Sequence, residues 1–186
     1  MSRNKVTIEE VKEDLRYLRL LARDFPTVSS VSTEIINLEA ILHLPKPTEH
    51  FLADLHGEHE AFQHILRNAS GNIKRKVNEI FGDTLSSDEK RDLCTLIYYP
   101  EEKLKLARQN GDALDEYYLC MLNRLIVVCR DVSSKYTRSK VRKSLPEEYA
   151  YIIEELMHTH YEDTDKRDYY ENIISTIIDI GRAPNF

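Results

Sequence analysis

Residues 50–71 read HFLADLHGEHEAFQHILRNASG, and the rest of the chain is organised around this stretch. The short apolar run Phe51-Leu52-Ala53 predicts a strand that ends at Asp54-Leu55-His56-Gly57. A polar turn follows, then a helix carrying Phe62, Ile65 and Leu66. Side chains alternate across a strand, so Asp54 and His56 leave on one side and Leu55 on the other. A carboxylate oxygen and an imidazole nitrogen on the same side of a strand end can hold a divalent metal. Gly57 permits a sharp turn, and the helix behind it presents its N-terminus to an anion. A plain turn in which Asp54 caps the helix accounts for Asp54 but for neither His56 nor Gly57. Asp54 and His56 are therefore the candidate metal ligands.

Around this stretch lies an ordinary globular composition. The chain has 186 residues, 41% hydrophobic and 31% charged, enough for one domain with a sizeable core. A formal charge of -6 argues against nucleic-acid binding, which needs a basic face. No apolar run approaches membrane-spanning length, and MSRNKVTIEEVKEDLR lacks a hydrophobic signal core. Cys94, Cys120 and Cys129 are odd in number and irregularly spaced, which predicts reduced thiols packed as small apolar groups. A cytoplasmic location with no membrane partner is expected, and an oligomer is compatible with all of this.

Three segments are expected: a helical one over 1–47, a strand–turn–helix over 48–71, and a helical one over 72–186. In the first, Thr7 and Glu10 form a capping box ahead of Ile8, Val11, Leu15, Leu18 and Ala22, and Pro26 ends the helix. A second helix begins near Ser32, carries Ile35, Leu38 and Leu42, and stops before Pro45 and Pro47. His43 reads as a helix-end histidine. In the third segment, 72–81 is helical with Gly82 as its stop, and Ser86 with Glu89 caps the next helix. A charged helix runs from Pro100 to Gly111. The stretch LCMLNRLIVVC, within 112–132, predicts a helix buried on several sides, with Met121, Leu122, Leu125 and Val128 inward. Lys135, Arg138, Lys140, Arg142 and Lys143 form a basic cluster, read as a solvated face with phosphate attraction as the sharper alternative. Helices around 147–158 and 168–180 complete the chain.

The Asp-x-His-Gly pattern after an apolar run resembles the first metal-binding motif of the calcineurin-like metallophosphoesterases. The form ADLHGE, the continuation AFQHILRNASG, the two leading helices and the later RDLCTLIYYP together resemble one family, the class III fructose-1,6-bisphosphatases of Firmicutes-type bacteria. The resemblance covers essentially the whole chain. It implies a gluconeogenic, manganese-dependent hydrolysis of fructose 1,6-bisphosphate to fructose 6-phosphate and phosphate, with Asp54 and His56 as ligands of the first metal. It also implies a fold class: mainly α in this chain, as the N-terminal part of an α/β metallophosphoesterase fold with a long helical insertion. Glu58, His59 and His64 adjoin the motif without an assigned role, His59 being the candidate phosphate contact among them.

The later motifs of such a site do not follow. Gly111-Asp112-Ala113-Leu114-Asp115 opens with the spacing of Gly-Asp-x-x-Asp-Arg-Gly, but Glu116-Tyr117 stands where Arg-Gly is needed. Asp112 therefore reads as a helix cap. Gly71-Asn72 is followed by Ile73 rather than histidine, and His158 and His160 read as exposed polar residues. The chain is accordingly expected to be a truncated, inactive portion of a longer enzyme. Two other readings remain at this stage. One is a non-catalytic helical interaction module that keeps a relic metal motif. The other is a complete small phosphoesterase assembled from Asp112, Asp115, His158 and His160.

Overall fold

The computed structural model describes residues 6–46, 49, 51–109, 114–158 and 164–186. Among these every regular element is helical, and the chain divides into two compact units, Met1–Pro45 and Lys46–Phe186.

The first unit holds α1 (Ile8–Glu13), α2 (Leu15–Asp24) and α3 (Val28–Ile41). Thr7 Oγ1 accepts from the Glu10 backbone N–H at 3.3 Å, and the Glu10 carboxylate accepts from the Thr7 N–H at 2.7 Å, the expected capping box. The single helix expected next is broken at Asp14, a weak helix former whose backbone sits at φ -89, ψ 4. Phe25 ends α2 because the residue before Pro26 is sterically kept out of helical geometry. The third helix starts four residues ahead of Ser32, because Thr27 and Ser30 cap each other and open it at Val28. None of the three helices buries a residue, and Ile35, Leu38 and Leu42 are exposed. Pro47 lies outside the described residues.

In the second unit the expected strand is absent among the described residues. Phe51–Leu55 has no regular structure, Phe51 is 90% exposed, and His50 lies outside the described residues. A strand needs a neighbour for its backbone N–H and C=O groups, and no described segment supplies one. From there the unit is helical: α4 (His59–Arg67), α5 (Asn72–Phe81), α6 (Ser87–Tyr98), α7 (Pro100–Gln109), α8 (Leu114–Ser133), α9 (Arg138–Ser144), α10 (Ala150–Met157) and α11 (Arg167–Asp179). Gly82 ends α5 at φ +44, a conformation that suits glycine. The Ser86–Glu89 capping box opens α6 as expected.

Two hydrophobic clusters hold these helices. Val77, Leu93, Cys94, Leu96, Met121 and Val128 join α5 and α6 to one side of α8. Tyr118, Leu122, Leu156, Ile174, Ile177 and Ala183 join α10, α11 and the segment beyond it to another side. The helix expected to be buried on several faces thus belongs to both clusters. Leu125 departs from expectation, since it is only partly buried at the edge of the first cluster. Polar contacts tie these helices too: Arg124 Nη2 reaches Glu89 Oε1 at 2.6 Å and Lys76 Nζ reaches Asp131 Oδ2 at 2.8 Å, while Lys103 on α7 pairs with Asp92 on α6. Arg130 donates from Nε to the Met157 carbonyl and from Nη2 to that of Leu156, satisfying the C-terminal end of α10.

Leu93 is fully buried, so Leu93→Ala should cost on the order of 2–5 kcal/mol, and Leu125→Ala distinctly less because its site is half open. Urea unfolding of the two variants checks the order; equal losses would show that Leu125 is a core position after all. Glu89 makes a second, pH-dependent contribution. Its hydrogen bonds with Ser86, backbone first, and then the Arg124 guanidinium lower its pKa to about 2. A carboxyl with a depressed folded-state pKa stabilises fully above its unfolded pKa, and that contribution disappears as pH falls through the folded value. Wild type should therefore lose melting temperature between roughly pH 4.5 and 2 more steeply than Glu89→Gln. Parallel melting curves over that range would refute this assignment.

Candidate metal centre

The pair picked out in the sequence is brought together by a local turn. Asp54 Oδ2 and His56 Nε2 lie 3.5 Å apart, and both side chains are open to solvent, 79% and 82% exposed. His56 adopts φ +49 and Gly57 φ +80, so two successive residues are left-handed. For glycine this costs little; for histidine it is a sparsely populated conformation. The turn closes with the Glu58 N–H donating to the Leu55 carbonyl at 3.0 Å and the His59 N–H to that of Gly57 at 2.8 Å. Strand alternation, the expected cause of the shared orientation, is replaced by this turn. The two side chains meet nonetheless, because they are only two residues apart.

Glu58 precedes α4 without a side-chain cap, and His59 is the helix's first residue. The position of α4 is set from further along the chain, by an aromatic contact that sequence spacing does not reveal. His64 Nδ1 lies 2.5 Å from the Tyr99 hydroxyl, with the two rings stacked at 5.9 Å and 9°. Arg67 places its guanidinium carbon 5.1 Å from the Tyr99 ring centroid, and Tyr98 meets the His64 ring edge-on at 6.3 Å. Burial, with Cys94 beside it, pushes the Tyr98 hydroxyl up to about 12, so it stays neutral across ordinary pH. Between α4 and α5, Ala69, Ser70 and Gly71 are all left-handed, and Asn68 Oδ1 accepts from the Gly71 N–H at 3.1 Å. The only sequence signal for the aromatic anchor was the tyrosine pair closing RDLCTLIYYP.

Among the described residues no group of three or more His, Cys, Asp or Glu side chains is placed to hold a metal ion. Asp115 lies on the first turn of α8, and exposed His158 ends α10. Asp112 and His160 lie outside the described residues. The basic cluster falls on α9 and the turn before it, with Arg138, Lys140, Arg142 and Lys143 all exposed. Cys94 is buried, while Cys120 and Cys129 are more accessible, and all three are free thiols. No described helix is long and apolar enough to cross a membrane.

Comparison with known proteins gives the family. A profile described as Firmicute fructose-1,6-bisphosphatase matches residues 16–186. The chain belongs to the Firmicute fructose-1,6-bisphosphatase family. Proteins named fructose-1,6-bisphosphatase class 3 match along nearly its whole length. That of Phocaeicola vulgatus is 63% identical over 183 residues, covering 98% of this chain and 28% of the relative. That of Bacteroides thetaiotaomicron is 61% identical over 185 residues, covering 100% and 28%. That of Clostridium novyi is 60% identical over 179 residues, covering 96% and 27%. The chain thus spans little more than a quarter of the length of these relatives. No solved structure matches it.

If the His64–Tyr99 contact fixes the helix behind the motif, Tyr99→Phe should lower stability by about 0.5–1 kcal/mol, the modest value of an exposed hydrogen bond. Amide exchange across α4 should quicken with it. Exchange confined to its wild-type rate would show that ring stacking alone holds the helix.

Proposed function

We propose that this chain supplies the first metal-binding half of a phosphatase site, in an enzyme that hydrolyses fructose 1,6-bisphosphate to fructose 6-phosphate and phosphate. The observation that carries the reading is the Asp54–His56 pair, facing across a left-handed turn in a chain that is about 60% identical to proteins named for that activity. An oxygen donor beside an imidazole nitrogen suits manganese, the metal that the family resemblance implies. Neighbouring ligands of an octahedral ion with bonds of about 2.1 Å stand about 3 Å apart, so the 3.5 Å separation needs only a small adjustment. The metallophosphoesterase fold, with its sheet completed by further strands, belongs to the same proposal.

In that enzyme Asp54 and His56 would hold the first ion. The metal would neutralise charge on the phosphoryl oxygens and activate the attacking water. The N-terminal turn of α4 would favour an anion through the helix dipole, with the Glu60 carboxylate in the same turn opposing it. His59, at the first position, would be the side chain to meet it. With two protein donors for an ion that takes about six ligands, the pair alone binds weakly and leaves a second ion unfixed.

The 186-residue chain by itself should release no phosphate from fructose 1,6-bisphosphate above the level of its Asp54→Asn variant. Joined in place of the matching N-terminal portion of the Phocaeicola vulgatus relative, it should support manganese-dependent turnover. There Asp54→Asn should lower kcat by on the order of a hundredfold or more. A chimera that is active and indifferent to Asp54→Asn would overturn the assignment. Turnover by the chain alone, abolished by the same substitution, would favour a complete small phosphoesterase instead.

A further inference from the structure

The turn between α8 and α9 is flanked by two clefts that the Asp54–His56 motif does not touch. The smaller, about 280 Å³, is lined by Arg130, Tyr136, Arg138, Arg142, Glu154 and His158, among others. The larger, about 720 Å³, is mainly apolar, with Ile97, Val128, Val132, Val141 and Leu145 in its wall. Ser133, Tyr136, Val141 and Met157 line both, so a basic cleft and an apolar one share a partition.

Among the described residues that line the smaller cleft, Arg138 and Arg142 bring two exposed guanidinium groups, and the Glu154 carboxylate stands 3.7 Å from Arg142 Nε. Arg130 turns Nε and Nη2 towards backbone carbonyls of α10. Arg138 and Arg142 stand one helical turn apart, a spacing at which like charges oppose the helix, and α9 buries no residue that would offset this. Four of the six residues 138–143 are cationic in a chain of net charge -6. The Ser133 and Ser134 hydroxyls donate to the Arg130 and Asp131 carbonyls. Guanidinium forks match the oxygens of phosphate and carboxylate.

We propose that these joined clefts bind a small organic anion, a phosphate or carboxylate group carried on an apolar body. Arg138 and Arg142 take the anionic group, and the wall formed by Val132, Val141 and Leu145 takes the body. The site is separate from the metal motif and does not rest on the function proposed above.

Calorimetric titration of the 186-residue chain in a chelator, with inorganic phosphate, hexyl phosphate and hexanoate as probes, tests this. Hexyl phosphate should bind at least about tenfold more tightly than inorganic phosphate, since a few buried methylenes suffice for that gain. Comparison with hexanoate assigns the preferred head group, and tight binding of either supports the site. Arg138→Gln with Arg142→Gln should weaken binding by on the order of tenfold or more. Lys143→Gln, a cation on the same helix outside both linings, should leave it unchanged. Val132→Asn should remove the advantage of the hexyl chain. Both arginines are exposed, so circular dichroism should show the variants folded. Absence of heat with all three probes at millimolar concentration, equal affinity in the double variant, or equal weakening by Lys143→Gln would each overturn the proposal.

Discussion

The packing of α8 between two hydrophobic clusters is the constraint on which the second unit depends. A helix of 20 residues is about 30 Å long and presents several faces. Here Met121 and Val128 serve one cluster, and Tyr118 and Leu122 the other. Each cluster draws on α8, one with α5 and α6 and the other with α10 and α11. Its two arginines extend the same role: Arg124 reaches the capping carboxylate at the start of α6, and Arg130 reaches the carbonyls at the end of α10. Charged side chains thus bind α8 to the termini of the helices whose apolar faces it covers. Their polar ends remain satisfied beside a hydrophobic surface.

The turn that pairs Asp54 with His56 is attached to that core indirectly. The first cluster fixes α6, the residue after α6 is Tyr99, and Tyr99 holds His64 on α4. The helix in turn begins two residues beyond Gly57, where the left-handed turn sets Asp54 against His56. Each step has a distinct physical basis: burial, then ring stacking and a hydrogen bond, then a glycine-assisted turn. The pair at the end of this series is exposed and has no third donor among the described residues.

Much of this was legible in the sequence because the deciding forces act over three or four residues. The boxes at Thr7–Glu10 and Ser86–Glu89 and the stop at Gly82 are local contacts, and the structure shows each of them. Asp54 and His56 could be paired from sequence because two residues of separation keep them close, whether the backbone is extended or turned. Thr27 caps α3, which therefore starts earlier than the apolar spacing implies.

What the sequence could not decide were matters of partnership. The apolar run 51–53 has the composition of a strand, but a strand exists only through another, and no described segment pairs with it. Periodicity marked α8 as buried on several sides, yet its division between two clusters depends on where α6 and α10 lie. The half-exposed position of Leu125 follows from the same packing. The His64–Tyr99 and Arg124–Glu89 contacts each span 35 residues, and only the tertiary fold brings such partners together. The sequence alone determined most of the helices, the boxes at Thr7–Glu10 and Ser86–Glu89, and the closeness of Asp54 to His56. The tertiary structure decided which faces meet, because burial and long-range polar contact depend on neighbours that no local pattern encodes.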